Sequence, residues 1–174
     1  RAALEKVERA NRLEPNNLGI LAVLYLAQYR VGAYQEALET CTKADSIDPD
    51  NPAILLRLGR VQSHLGAYED ALKTLTKVNT LDPNQPVILS ALGMVQYRKG
   101  AYEDALKTLT AVKRPHASTL AFMTMSLQQL GRTDEAKATL EQLRGLLKDK
   151  PFADDAEAKA LLAEAEGLIE GKKP

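Results

Sequence analysis

The segment Gly66-Ala-Tyr-Glu-Asp-Ala-Leu-Lys-Thr-Leu-Thr76 recurs letter for letter at Gly100 to Thr110, thirty-four residues later. A divergent copy, Gly32-Ala-Tyr-Gln-Glu-Ala-Leu-Glu-Thr-Cys-Thr42, lies thirty-four residues before it. A fainter copy, Gly131 to Leu140, follows at a spacing of thirty-one. A fixed period in this range is the mark of an array of stacked units, none of which buries its apolar face alone. Within a copy, Ala71, Leu72, Leu75 and Val78 fall on one face of a helix, and Glu69, Asp70, Lys73 and Lys77 on the other. A second helical pattern, Pro52 to Leu65, precedes it, and Gly66 suits the left-handed residue that ends a helix. Each unit therefore reads as helix, tight turn, helix.

These residues resemble the tetratricopeptide repeat family, whose pattern spaces large, small and aromatic residues, Ala and Pro over thirty-four positions. The second copy supplies Leu55, Leu58, Gly59, Gly66, Tyr68, Ala71, Leu75 and Pro83, and the third supplies Leu89, Leu92, Gly93, Gly100, Tyr102, Ala105 and Leu109. The first and fourth copies match through Leu21, Leu24, Gly32, Tyr34 and Ala37, and through Leu120, Met123, Gly131, Ala136 and Leu140. The resemblance implies an all-α fold, a right-handed α-solenoid of antiparallel helix pairs closed by a C-terminal solvating helix. The expected boundaries are 1–17 for the second helix of a truncated repeat, then repeats at 18–51, 52–85, 86–116 (shortened) and 117–150 (divergent), and a cap over 151–174. Two departures stand out. Gln28, Gln62, Gln96 and Leu127 replace an aromatic residue in the first helices, and Tyr25 and Thr124 replace the small residue at which paired helices approach. Those two pairs are expected to splay.

Ala3, Val7, Ala10 and Pro15 fill the slots of Ala37, Cys41, Ala44 and Pro49, so the chain opens inside a repeat, and further repeats are expected upstream. Leu18 to Val31 is apolar nearly all round and expects cover from neighbouring repeats or from a partner. The turns Asp48-Pro-Asp-Asn-Pro52 and Asp82-Pro-Asn-Gln-Pro86 place Pro at the first helical position, with Asp or Asn available as caps. They lack the glycine and distal glutamate of a calcium loop. The linker Lys113 to Thr119 shortens the third period, and its His116 reads as a surface turn. Asp154 and Asp155 suit the N-terminal dipole of the capping helix, whose apolar face reads Ala158, Leu161, Leu162, Ala165, Leu168 and Ile169. Gly171 to Pro174 is expected to fray.

Composition narrows the function. The formal net charge is zero, which gives no overall attraction to nucleic acid or to an anionic membrane. No run reaches the roughly 18 apolar residues of a membrane helix. The single cysteine, Cys41, stands in a slot that Leu75, Leu109 and Leu140 hold elsewhere, and reads as a buried thiol. No phosphate-binding glycine motif, zinc spacing or nucleophile elbow occurs, so neither catalysis, a metal nor a cofactor is expected.

Charge is segregated by helix. Leu18–Val31, Pro52–Leu65, Pro86–Lys99 and His116–Leu130 contain no Asp or Glu but carry Arg30, Arg57, Arg60, Arg98 and Lys99. In the family the first helices line the concave surface, so the resemblance implies a basic groove with apolar surroundings. The slots in which chaperone-binding members carry Lys and Asn hold Ala22, Val23, Leu26, Leu56, Arg57, Arg60, Ser90, Ala91 and Met94, so that carboxylate clamp is not expected. The expected groove residues are Arg57, Arg60, His64, Met94, Tyr97, Arg98, Phe122 and Met125. They suit a protein or peptide partner with an extended, acidic and apolar segment. The alternatives are self-association through the N-terminal repeats, and a regulatory appendage of a larger protein.

Overall fold

The computed structural model describes residues 2–148 and 156–171. The described residues form ten helices: α1 (Ala2–Leu13), α2 (Leu18–Arg30), α3 (Tyr34–Ile47), α4 (Pro52–His64), α5 (Tyr68–Leu81), α6 (Pro86–Arg98), α7 (Tyr102–Thr110), α8 (Ala117–Gln129), α9 (Thr133–Lys148) and α10 (Ala156–Ile169). Asp154 and Asp155, expected at the start of the capping helix, and the terminal Lys172 to Pro174 lie outside the described residues. The chain divides into two compact units, 1–83 and 84–174. In the first, α1 packs on α2, α2 on α3, α3 on α4 and α4 on α5. In the second, α6, α7, α8 and α9 pack in the same sequential way, α8 also touches α6, and α10 lies on α8 and α9.

Local chemistry sets the helix ends. The first helices stop one residue short of the expected Val31, Leu65, Lys99 and Leu130, because those residues are the C-caps. Gly66 then takes φ 78°. Its N–H bonds Ser63 O at 3.2 Å, and the next N–H, of Ala67, reaches back to Gln62 O at 2.9 Å. That pair of bonds satisfies carbonyls the helix would otherwise leave open. The same closure recurs at Gly32, Gly100 and Gly131. At the start of α4, Asn51 Oδ1 accepts from Ala53 N at 3.0 Å, with Pro52 in the first turn. The matching Gln85 makes no such bond, and in both turns the residue before the cap is left-handed, Asp50 at φ 65° and Asn84 at φ 60°.

The paired helices meet at a small residue. A Cβ on Gly59 would lie 2.7 Å from Leu75 Cγ, and one on Gly93 2.5 Å from Leu109 Cγ. Leu75 and Leu109 are fully buried in consequence. In the first repeat the sizes are exchanged. Tyr25 stands where Gly59 does and Cys41 where Leu75 does, and both are buried in one cluster with Ala37 and Val61. The bulky ring is accommodated by the shorter thiol opposite, so the expected splaying has no steric cause in that pair. In the fourth repeat Thr124 and Leu140 are both buried.

The third repeat does close early. Helix α7 has 9 residues where α5 has 14, and Val112 turns inward directly after it. This shortening brings α8 against α6, where Ser90 Oγ and Thr119 Oγ1 are hydrogen-bonded at 2.8 Å. The expected apolar-all-round helix α2 is covered only in part: Leu21, Leu24, Tyr25 and Gln28 are buried, while Val23 and Leu26 remain 52% and 43% exposed.

Exchange of sizes across the pair makes a prediction. Gly59→Ala alone should destabilise by about 1–3 kcal/mol through overpacking. Gly59→Ala combined with Leu75→Cys should cost less than the sum of the two single changes by about 0.5 kcal/mol or more, measured by urea denaturation. Strict additivity would show that the two residues do not share a contact.

Candidate functional site

Three of the expected groove residues come together in the first unit. Arg57, Arg60 and His64 project from α4 onto aromatic rings of the preceding repeat. The Arg57 guanidinium lies 5.8 Å from the centroid of Tyr25, and that of Arg60 5.3 Å from the centroid of Tyr29. His64 stacks on Tyr34 at 4.5 Å, and its Nε2 is hydrogen-bonded to the Tyr29 hydroxyl at 2.6 Å. Tyr25 and Tyr29 are themselves 5.6 Å apart. One turn of spacing along α2 thus presents two rings to two cations one turn apart on α4, a geometry that holds each guanidinium by its attraction to the ring face.

Beside this platform, a cleft of about 110 Å³ opens between α2 and α4 over α3. Its lining includes Ala22, Tyr25, Cys41, Ile54 and Arg57. Among the described residues Arg57 has no hydrogen bond or ion pair, so its positive charge is available to a ligand. Burial pushes the Tyr25 hydroxyl up to about 12, with Arg60 and Arg57 pulling the other way. Burial likewise pushes the Cys41 thiol up to about 12, against the pull of Arg57. Both groups are therefore neutral at physiological pH, and the thiol is a packing group, as expected from its slot.

The other five expected residues belong to the second unit, and it places them differently. Met94 and Tyr97 are half-buried against the main apolar cluster of that unit. Tyr97 contacts Tyr102 at 5.5 Å and Phe122 at 5.4 Å, and burial, with Glu164 next in effect, raises its hydroxyl pKa. Phe122 and Met125, expected as ligand anchors, are interior, at 2% and 0% exposure. The cause is cover from two sides: Arg98 lies 5.4 Å over the Phe122 ring, and α10 packs on α8 through Ala158, Leu161 and Ala165. Arg98 is not an unopposed cation either, since Glu164 of α10 pairs with it at 3.3 Å. The expected basic groove is neutralised at that point by a carboxylate of the capping helix.

Tyr25 and Tyr29 of the first unit serve as ring platforms although they were not among the expected groove residues, and Val23 and Leu26, already named as groove slots, are exposed apolar groups. A signal existed for Tyr29, which occupies the same repeat slot as Tyr97. Among the described residues no group of three or more His, Cys, Asp or Glu side chains could hold a metal. No described helix is long and apolar enough to cross a membrane.

The fold is a helix-pair repeat solenoid whose first helices carry basic residues but no Asp or Glu. The tetratricopeptide repeat model matches residues 28–95 and 64–126, and a second tetratricopeptide repeat model matches 123–149. The chain belongs to the tetratricopeptide repeat family. A thermophilic TPR protein of Thermus thermophilus is similar over 95% of this chain and 89% of its own, at 22% identity and a TM-score of 0.75. A tetratricopeptide repeat protein from Parabacteroides merdae is similar over 98% of this chain and 66% of its own, at 24% identity and TM-score 0.68. The crystal structure of MamA is similar over 85% and 88%, at 17% identity and TM-score 0.68. A search of curated proteins gave no match. These likenesses define the fold, and the family is one of protein–protein interaction scaffolds, generally non-enzymatic.

The raised thiol and phenol values carry a pH prediction. Both groups stay neutral in the folded chain to higher pH than in the unfolded chain, so unfolding releases protons in alkali. The stability this gives is full below their ordinary values of 9.0 and 10.0 and is lost as pH rises toward about 12. The urea midpoint followed by circular dichroism should fall between about pH 8 and about pH 11, and fall less steeply in Cys41→Ala. Equal slopes in the two proteins would show that Cys41 ionises as readily folded as unfolded.

Proposed function

We propose that the first unit binds an extended peptide segment bearing acidic and apolar residues, held on α2 and α4. The observation that carries this reading is the Arg57 guanidinium, without an ion pair among the described residues, laid over Tyr25 and lining the cleft. A ligand carboxylate meets that cation without first breaking an internal pair. Arg60 over Tyr29 extends the basic stripe by one turn. Val23 and Leu26 add exposed apolar area from the facing helix, where removal from water contributes about 25 cal/mol per Å². Ion pairs at an open groove contribute only about 0.2–1 kcal/mol each. Charge therefore steers and registers the segment, and the apolar contacts hold it.

Selection of peptides from a displayed random library on the purified chain tests this directly. The selected sequences should be enriched in Asp or Glu next to large apolar residues, and should bind more weakly as salt rises. Arg57→Glu with Arg60→Glu should lower their affinity by about tenfold while leaving helicity unchanged. Selection of basic peptides, or of peptides indifferent to the double change, would contradict the proposal. Self-association is the competing reading, and a concentration-dependent mass in light scattering, abolished by Leu26→Glu, would favour it instead.

A further inference from the structure

The last helix does not sit where a further first helix of the array would sit. Helix α8 packs more extensively on α7 than on α6, whereas α10 packs more extensively on α8 than on α9. It is therefore displaced toward the first-helix side of the fourth repeat. One of its carboxylates leans the same way, and the other bonds the second helix of the repeat. Glu164 pairs with Arg98 of α6 at 3.3 Å and Glu166 with Arg144 of α9 at 2.7 Å. A helix that only gave the array a polar end would turn both toward water.

Two of the three residues that α10 buries fully are alanines. Its buried residues are Ala158, Leu161 and Ala165, and Leu162, Leu168 and Ile169 are only partly buried. Beneath and beside it lie Tyr97, Phe122 and Met94, with the Arg98 guanidinium over the Phe122 ring. A cation over an aromatic ring is the same chemistry that Arg57 and Tyr25 present in the first unit, with an adaptable Met added. Here it is already occupied, by an acidic, Ala- and Leu-rich helix of the same chain.

We infer that α10 is a displaceable internal ligand, and that the face it covers is a second interaction surface, fitted to an acidic amphipathic helix supplied by a partner. The ion pairs that hold α10 in place are accessible to water and salt, with side chains 31–40% exposed. Its advantage over a rival is that it is tethered, so it acts at high effective concentration. A partner helix with the same acidic spacing and larger apolar residues at the half-buried Leu162, Leu168 and Ile169 positions buries more area and displaces it. The inference does not rest on the reading of the first unit.

The test uses the full chain, its variant Glu164→Lys/Glu166→Lys, and a fluorescein-labelled peptide of residues 156–171 as probe. In the variant, amide exchange in α10 should accelerate about tenfold or more while α8 and α9 keep their protection, and the probe should bind about tenfold or more tightly than to the parent. Arg98→Glu added to the variant should remove that gain, and Arg57→Glu should not. Unchanged exchange and affinity, joint loss of protection in α8, α9 and α10, or a gain removed by Arg57→Glu but not by Arg98→Glu would each overturn the inference. As a second measurement on the parent chain, added salt should speed exchange in α10 selectively, and equal protection at low and high salt would also overturn it.

Discussion

The close contact between paired helices, glycine against leucine in α4–α5 and in α6–α7, is the constraint on which the rest depends. Gly59 admits Leu75 and Gly93 admits Leu109 at distances that leave no room for a Cβ. Because each leucine is completely enclosed, the rotation of one helix about the other is fixed to within a side-chain width. That rotation decides which residues of a first helix face its own partner and which remain for other contacts. Arg57 and Arg60 lie on the remaining face of α4, away from the Gly59 contact. The Tyr25–Cys41 exchange satisfies the same constraint with the sizes reversed, and places an aromatic ring within reach of Arg57.

The two units use equivalent slots to opposite ends. In the first, Ala22 and Ile54 line an open cleft between α2 and α4. In the second, the residues at the equivalent repeat positions, Ser90 and Thr119, are joined by a hydrogen bond that closes the gap between α6 and α8. The shortened α7 and the cover from α10 leave α8 buried around most of its circumference, whereas α2 keeps Val23 and Leu26 in water. An exposed apolar pair on α2 and, on α4, a guanidinium without an ion pair among the described residues make the first unit the open one.

Much of this was legible in the sequence, for identifiable reasons. An identical segment thirty-four residues apart fixes the helix pairs, and Gly32, Gly66, Gly100 and Gly131 fix where the first helices end, because only a residue free of Cβ strain takes φ between 73° and 87° without cost. The burial of Cys41 followed from its slot alone. The site was less legible, because side-chain partners in an array come from distant positions. Glu164 neutralises a cation sixty-six residues earlier, and no local pattern announces it. Phe122 and Met125 occupy groove slots by repeat position, yet a helix as apolar as α8 faces a groove only if nothing covers it, and α10 does. Tyr25 was read as an oversized residue at a packing position; it is also the platform on which Arg57 rests.

The central claim is that ligand contact falls on the first helices of the first unit. The most direct measurement is methyl and aromatic NMR chemical-shift mapping on the full chain, titrated with an acidic, apolar peptide selected for binding. The largest changes are expected on Val23, Leu26, Tyr25 and Tyr29, with the methyls of α3 and α5 that face water unmoved. Changes concentrated instead on exposed residues of α3 and α5, with Val23 and Leu26 silent, would contradict it.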